Sequence, residues 1–238
     1  MPDLKHDIIL LFRKDESEHY MKNKSLYQLI GSFTLLFFAA LCYIVRFYPE
    51  TLVGFDRRII QGVHHLYPQM NGYFLWVTKF ANPITVVLLT LVFVGLFYFN
   101  KQKVTALWLA ISMVLVSGAG NHLLKIFFQR SRPTILPHMV TEHSFSFPSG
   151  HATASTLLFG TLIFVMGLFF KDKPPRLIAQ IIVGLLIFSI VISRIYLGVH
   201  YPSDVLGGVL FGSSWLFFSY PYYTQKKLAY DLKAIRRR

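Results

Sequence analysis

Leu26–Val45 reads Leu-Tyr-Gln-Leu-Ile-Gly-Ser-Phe-Thr-Leu-Leu-Phe-Phe-Ala-Ala-Leu-Cys-Tyr-Ile-Val, 20 residues without a formal charge. At about 1.5 Å of rise per residue, a helix of that length spans roughly the 30 Å hydrocarbon core of a bilayer. The stretch reads as a transmembrane helix. The composition agrees: 54% of the chain is hydrophobic, 16% aromatic and only 15% charged, with a mean hydropathy of +0.48, values that belong to a membrane protein. The segment ahead of it, Met1–Lys24, carries Asp3, Lys5, Asp7, Arg13, Lys14, Asp15 and Glu16 around a short apolar insert, Ile8–Phe12. That pattern is not a cleavable signal peptide and suits an amphipathic helix lying on the cytoplasmic membrane surface.

Outward from this first span, apolar stretches recur. Arg46–Gly72 is mixed, with Phe55, Ile59, Ile60, Val63 and Leu66 near helical spacing beside Asp56, Arg57, Arg58 and His64, which predicts an interfacial helix. Pro83–Phe99, extended on its amino side by part of Tyr73–Phe80, predicts a second span. Val104–Leu124, His151–Phe170, Leu177–Ser193 and Asp204–Tyr220 predict four more. The expected fold is therefore all-α: a six-transmembrane-helix bundle with an amphipathic interfacial helix in the first extracytoplasmic loop. It divides into a cytoplasmic amino-terminal segment (1–25), a membrane domain (26–222) and a basic cytoplasmic tail (223–238).

Lys and Arg number 24 against 11 Asp and Glu, a formal +13. No nucleic-acid module accompanies that charge. It concentrates in both termini and in Asn100–Lys103 and Lys171–Arg176, all on one side of a six-span chain, and basic loops of this kind face the cytoplasm. The lone Cys42 lies in an apolar run and provides neither a disulfide framework nor a thiolate metal site.

Three clusters then fall at helix ends on the opposite face. Pro148-Ser149-Gly150-His151 sits where a loop becomes a helix, whose unpaired N–H groups and positive dipole end suit an anion; His151 would stand beside it as a proton donor. Lys125, Arg132 and Arg194 supply a point charge and two bidentate forks, together able to neutralise a phosphoryl group. His200 and Asp204 are four apart. A carboxylate at that spacing can reach back to one imidazole nitrogen, fix the tautomer and leave the other nitrogen free as a nucleophile. Asp204 is equally suited to cap the helix that begins there. Two His and an Asp could also hold a metal, but the surrounding cations repel one, so the expected site is an anion site without metal. His64, His65, His138, His143 and Glu142 read as solvated polar residues, with substrate contact the alternative for His138, Glu142 and His143; Trp76 and Tyr196 read as interface anchors.

Lys125, six residues, Arg132-Pro133; Pro148-Ser149-Gly150-His151; and Ser193-Arg194, five residues, His200, three residues, Asp204 resemble the three-part signature of the phosphatidic acid phosphatase type 2 superfamily. That superfamily includes integral-membrane lipid phosphatases and soluble vanadium haloperoxidases. The resemblance implies that His200 attacks phosphorus to form a phosphohistidine, with Asp204 as its orienter, and that His151 protonates the leaving oxygen and then activates water. It implies that Lys125, Arg132 and Arg194 bind the phosphate, with Ser149 and the Gly150 N–H as further donors. The expected activity is metal-free hydrolysis of a lipid phosphate or diphosphate at the extracytoplasmic leaflet, without cofactor, nucleic acid or obligate protein partner. Undecaprenyl diphosphate is the first expected substrate, with phosphatidylglycerophosphate or phosphatidate the alternatives. A phosphotransferase or a non-hydrolytic lipid carrier are the competing classes; a carrier has no need of the His200–Asp204 pair.

Overall fold

The structure, a computed structural model, describes the backbone of residues 4–236 and the side chains of residues 24–234. The amphipathic pattern expected of Met1–Lys24 lies, up to residue 23, outside the described side chains. Among the described residues there is no strand.

Helix α1 (Leu4–Phe47) contains the first apolar stretch, and a short 3₁₀ turn leads into α2 (Val53–His64). Next come α3 (Asn71–Val77), a 3₁₀ turn over Thr78–Ala81, and α4 (Pro83–Phe99). Residues 71–81 do not extend α4 in line, as the hydropathy suggested; the two segments meet at 53°. The cause is local. Pro83 disfavours helical backbone at the residue before it, and Asn82 is extended at φ −61°, ψ 145°.

Helices α5 (Lys103–Ile111) and α6 (Asn121–Phe128) are joined without a break by a π-helical segment, Ser112–Gly120, a widened winding often found near functional sites. After the loop 129–149 follow α7 (Gly150–Val165), α8 (Lys173–Tyr196) and α9 (Pro202–Arg236). The basic segment expected as a tail from residue 223 continues α9 beyond Pro221.

Four stretches are long and apolar enough to cross a membrane: Lys24–Phe47, Lys103–Phe128, Gly150–Leu168 and Lys173–Tyr196; the bent pair Asn71–Ala81 and Pro83–Phe99 makes a fifth if it is one span. Their outer faces are apolar, with Ile84 76% and Phe99 83% exposed among many other large hydrophobic side chains. So much apolar surface is stable in lipid and not in water. The chain is a membrane protein.

Helix α7 is the centre of the bundle, buried at every residue from His151 to Thr161. Helices α8 and α9 pack against it. The α7–α9 contact depends on small residues four apart on α9: a Cβ at Gly208 would lie 2.6 Å from the Ser149 carbonyl oxygen, and one at Gly212 3.0 Å from the Thr156 side chain. Close backbone approach of this kind is the usual way helices associate in membranes. Here it seats the start of α7 against the start of α9.

Candidate active site

Because α6 and α8 end where α7 and α9 begin, the three sequence clusters meet at one end of the bundle. Lys125 is in the last turn of α6, Arg194 in the last turn of α8, Ser149 stands at the N-cap position of α7, and Asp204 is in the first turn of α9. Direct bonds join the pieces. The Ser149 N–H donates to the Asp204 carbonyl at 3.0 Å, Lys125 Nζ donates to the Phe145 carbonyl, and Arg132 Nη1 donates to the Val199 carbonyl at 2.7 Å.

His200 is 2% exposed and Asp204 0%. Their facing atoms, His200 Nδ1 and Asp204 Oδ2, are 3.5 Å apart, longer than a good direct hydrogen bond. Ser146 closes the gap: its Oγ donates to Asp204 Oδ2 and lies 3.3 Å from His200 Nδ1. On the other side of the ring, Nε2 is 3.3 Å from Arg132 Nη1. A guanidinium only donates. The arrangement therefore assigns the neutral tautomer: the proton sits on Nδ1, pointing to Ser146, and the lone pair sits on Nε2. Burial, and after it the charges of Arg194, Arg132 and Lys125, hold His200 well below the ordinary imidazole value. Neutral His200 is thus the form present at neutral pH.

Asp204 also caps its helix. Pro202 is the first residue of α9, and Asp204 accepts from the Tyr201 N–H at 2.9 Å, the return arm of a capping box. The same carboxylate faces His200 through Ser146 and caps α9.

Two residues that the sequence reading left unassigned complete the support. Arg130 Nη1 donates to Asp204 Oδ1 at 2.6 Å and to Ser203 Oγ at 2.8 Å, while Nη2 donates to Asp56 Oδ2 at 3.1 Å; its guanidinium stacks 4.3 Å from the Tyr201 ring centroid. Asp56, 2% exposed, accepts from both the N–H and the Oγ of Ser203 at 2.8 Å. Burial raises the Asp56 carboxyl above its ordinary range, against the Ser203 bonds and the Arg130 charge. The available signal was periodicity: Asp56 shares a helix face with buried Ile60, an odd place for a carboxylate unless it is partnered.

Beside Arg132 and Arg194, Glu142 departs from its sequence expectation. Read as solvated, its carboxylate instead accepts from Arg194 Nη2 and lies 3.5 Å from Arg132 Nη2. It occupies the forks expected to bind phosphate. Arg194 is further fixed by donating to Thr78 Oγ1 at 2.6 Å. Ser149 Oγ and Arg194 Nε are buried without a hydrogen-bond partner among the described residues; orphan donors are costly, and an anion would satisfy both. His151 Nε2 lies 3.0 Å from Asn82 Oδ1 at the α3–α4 bend. Gly150, at the same helix start, faces Asn121 and Lys125. His138 is tied to the Pro133 carbonyl at 2.7 Å. Tyr196, expected at the membrane interface, is instead 3% exposed and donates to Asn71 Oδ1 at 2.6 Å, because α3 folds over it. Trp76 is 55% exposed.

A helical membrane protein with two buried histidines and Lys125, Arg132 and Arg194 gathered at one end of its bundle fits one class, the membrane lipid phosphatases. The chain belongs to the PAP2 superfamily, whose profile matches residues 105–228. It is 34% identical over 151 residues to phosphatidylglycerophosphatase B of Bacillus subtilis, covering 61% of this chain and 71% of that protein. It is 27% identical over 166 residues to the undecaprenyl-diphosphatase BcrC of the same organism, covering 64% and 75%. The crystal structure of a transmembrane PAP2 type phosphatidylglycerolphosphate phosphatase from Bacillus subtilis superposes with a TM-score of 0.67 at 26% identity, covering 83% of this chain and 96% of that one.

Proposed function

We propose that this lipid phosphatase acts through a phosphohistidine at His200, with undecaprenyl diphosphate as the first substrate to test and phosphatidylglycerophosphate, after the relative named for it, as the second. The observation that carries the reading is the setting of the His200 ring, Nδ1 against Ser146 and Asp204 and Nε2 against Arg132, from which a neutral tautomer with its lone pair on Nε2 follows.

In this mechanism Nε2 bonds to phosphorus as the bond from phosphorus to the leaving oxygen breaks. With the anionic phosphate bound beside it, offsetting the charges of Lys125, Arg132 and Arg194, His151 takes up a proton and gives it to that oxygen. Lys125, Arg132, Arg194, Ser149 Oγ and the Gly150 N–H bear the charge spread over the phosphoryl oxygens, the main demand of phosphoryl transfer, and Asp204 stabilises the imidazolium. Water then attacks phosphorus, His151 takes its proton, and the bond to Nε2 breaks. Cations suffice for this charge, so the reaction runs without metal.

The same reading makes α1, the bent α3–α4 pair, the α5–α6 rod, α7, α8 and α9 six spans, with α2 at the interface as the polar Arg57 and Arg58 beside Ile59 and Ile60 support. Basic Asn100–Lys103 and Lys171–Arg176 then face the cytoplasm, with both termini, and the site faces outward.

The test is phosphate release by purified protein from undecaprenyl diphosphate, phosphatidylglycerophosphate, phosphatidate and diacylglycerol diphosphate at matched detergent, with and without excess chelator. His200→Ala should abolish release. Undiminished release from that variant would remove the nucleophile assignment, and loss of wild-type activity in chelator would remove the metal-free step.

A further inference from the structure

At the end of the bundle remote from His200, α1, α7, α8 and α9 enclose a cavity of about 580 Å³, within the size range of small-molecule sites. Along α9 the distance from Pro202 at the catalytic end to Thr224 at the cavity is about 33 Å at helical rise. That is roughly one hydrocarbon thickness. With α9 as a span, as in the six-span reading proposed above on which this placement rests, the cavity opens at the opposite leaflet; it shares no lining residue with the candidate catalytic site.

Its chemistry is one-sided. Lys24 from α1, Lys171 from the α7–α8 connection, Arg176 from α8 and Lys227 from α9 line it, against one carboxylate among the described lining residues, Asp231. Asp231 is already bound to Lys227 at 3.1 Å. Lys24 lies 5.6 Å from the Tyr222 ring centroid, and neither Lys171 nor Arg176 has an ion pair among the described residues. Phe164, Val165, Tyr220 and Tyr223 give the rest of the wall a mostly apolar and aromatic character, beside the polar Thr224 and Gln225.

Basic residues at helix ends serve topology in most membrane proteins. Here four of them line a single cavity with one carboxylate among them. A phosphate-bearing anion would pair with these cations, and the apolar wall fits a ligand whose remainder stays in lipid. We propose that this cavity is a second, non-catalytic anion site that takes the phosphate of an anionic phospholipid head group from the leaflet opposite the active site.

The test is native mass spectrometry of the detergent-purified full chain with phosphatidylglycerol, phosphatidylcholine or inorganic phosphate. Wild type should retain phosphatidylglycerol at least tenfold over phosphatidylcholine. The Lys171→Gln/Arg176→Gln variant should lose that preference, with its melting temperature and phosphate release kept, and Arg176→Lys should retain it. Displacement of the lipid by millimolar inorganic phosphate would support the phosphate as the recognised group, whereas phosphate binding without any lipid preference would overturn the lipid assignment. Equal retention of both lipids by wild type, or unchanged retention by the double variant, would overturn the site. Binding is read without turnover, so this result and the hydrolase assignment fail separately.

Discussion

Asp56→Asn separates the second layer of the site from the fold. Asp56 is 3% exposed in its side chain and accepts three hydrogen bonds, two from Ser203 at 2.8 Å and one from Arg130 at 3.1 Å. Asn keeps the shape and a carbonyl oxygen for Ser203, but loses the charge and can turn an amide donor toward Arg130, itself donor-only. A hydrogen bond to a charged group contributes about 1.5–3 kcal/mol net. If about 2 kcal/mol of that is lost from the placement of Arg130, hence of Asp204 and His200, the rate falls roughly 30-fold. Stability should change less, because removing the charge also removes the burial cost that raises the Asp56 carboxyl. The sign follows from that shift: folded Asp56 keeps its proton to higher pH than unfolded Asp56, so its contribution to stability is present below the ordinary value of 3.8 and is lost as pH rises through the folded value. The variant lacks that decline. The assay is steady-state phosphate release with melting temperature measured across pH 3–7, expecting a lower kcat, little change in KM and a flatter stability profile. A kcat within twofold of wild type, or a loss fully explained by unfolded protein, would refute the positioning argument.

Glu142→Gln should lower KM by on the order of tenfold with kcat within about threefold, because the substrate phosphate no longer displaces a carboxylate from Arg132 and Arg194; a higher KM would mean that Glu142 holds substrate instead. Since burial and three cations keep His200 below its ordinary 6.5, the acid limb that it contributes to kcat/KM should lie below that pH, and a His200 limb at or above 6.5 would contradict the neutral tautomer. Gly208→Ala places a Cβ 2.6 Å from the Ser149 carbonyl oxygen. Overpacking there costs about 1–3 kcal/mol, so melting temperature and activity should fall together, and a variant of wild-type stability would show that the α7–α9 approach is looser than described.

The sequence by itself determined the helical membrane character, because a bilayer demands long uncharged stretches and that demand is written locally in Leu26–Val45 and its successors. It also determined the residue types of the candidate site, since Pro148–His151, Arg132-Pro133 and the His200–Asp204 spacing are short-range patterns. Pro83 was legible too and accounts locally for the 53° bend, but that the bend sets Asn82 against His151 was not. Only the tertiary structure decided that Ser146 stands between His200 and Asp204, that Glu142 fills the arginine forks, and that Arg130 joins Asp56 to Asp204. Arg130 lies 74 positions from each of its carboxylate partners. No local period encodes such a pairing; it exists because α2 and α9 pack beside the loop after α6, and burying those charges requires that they meet.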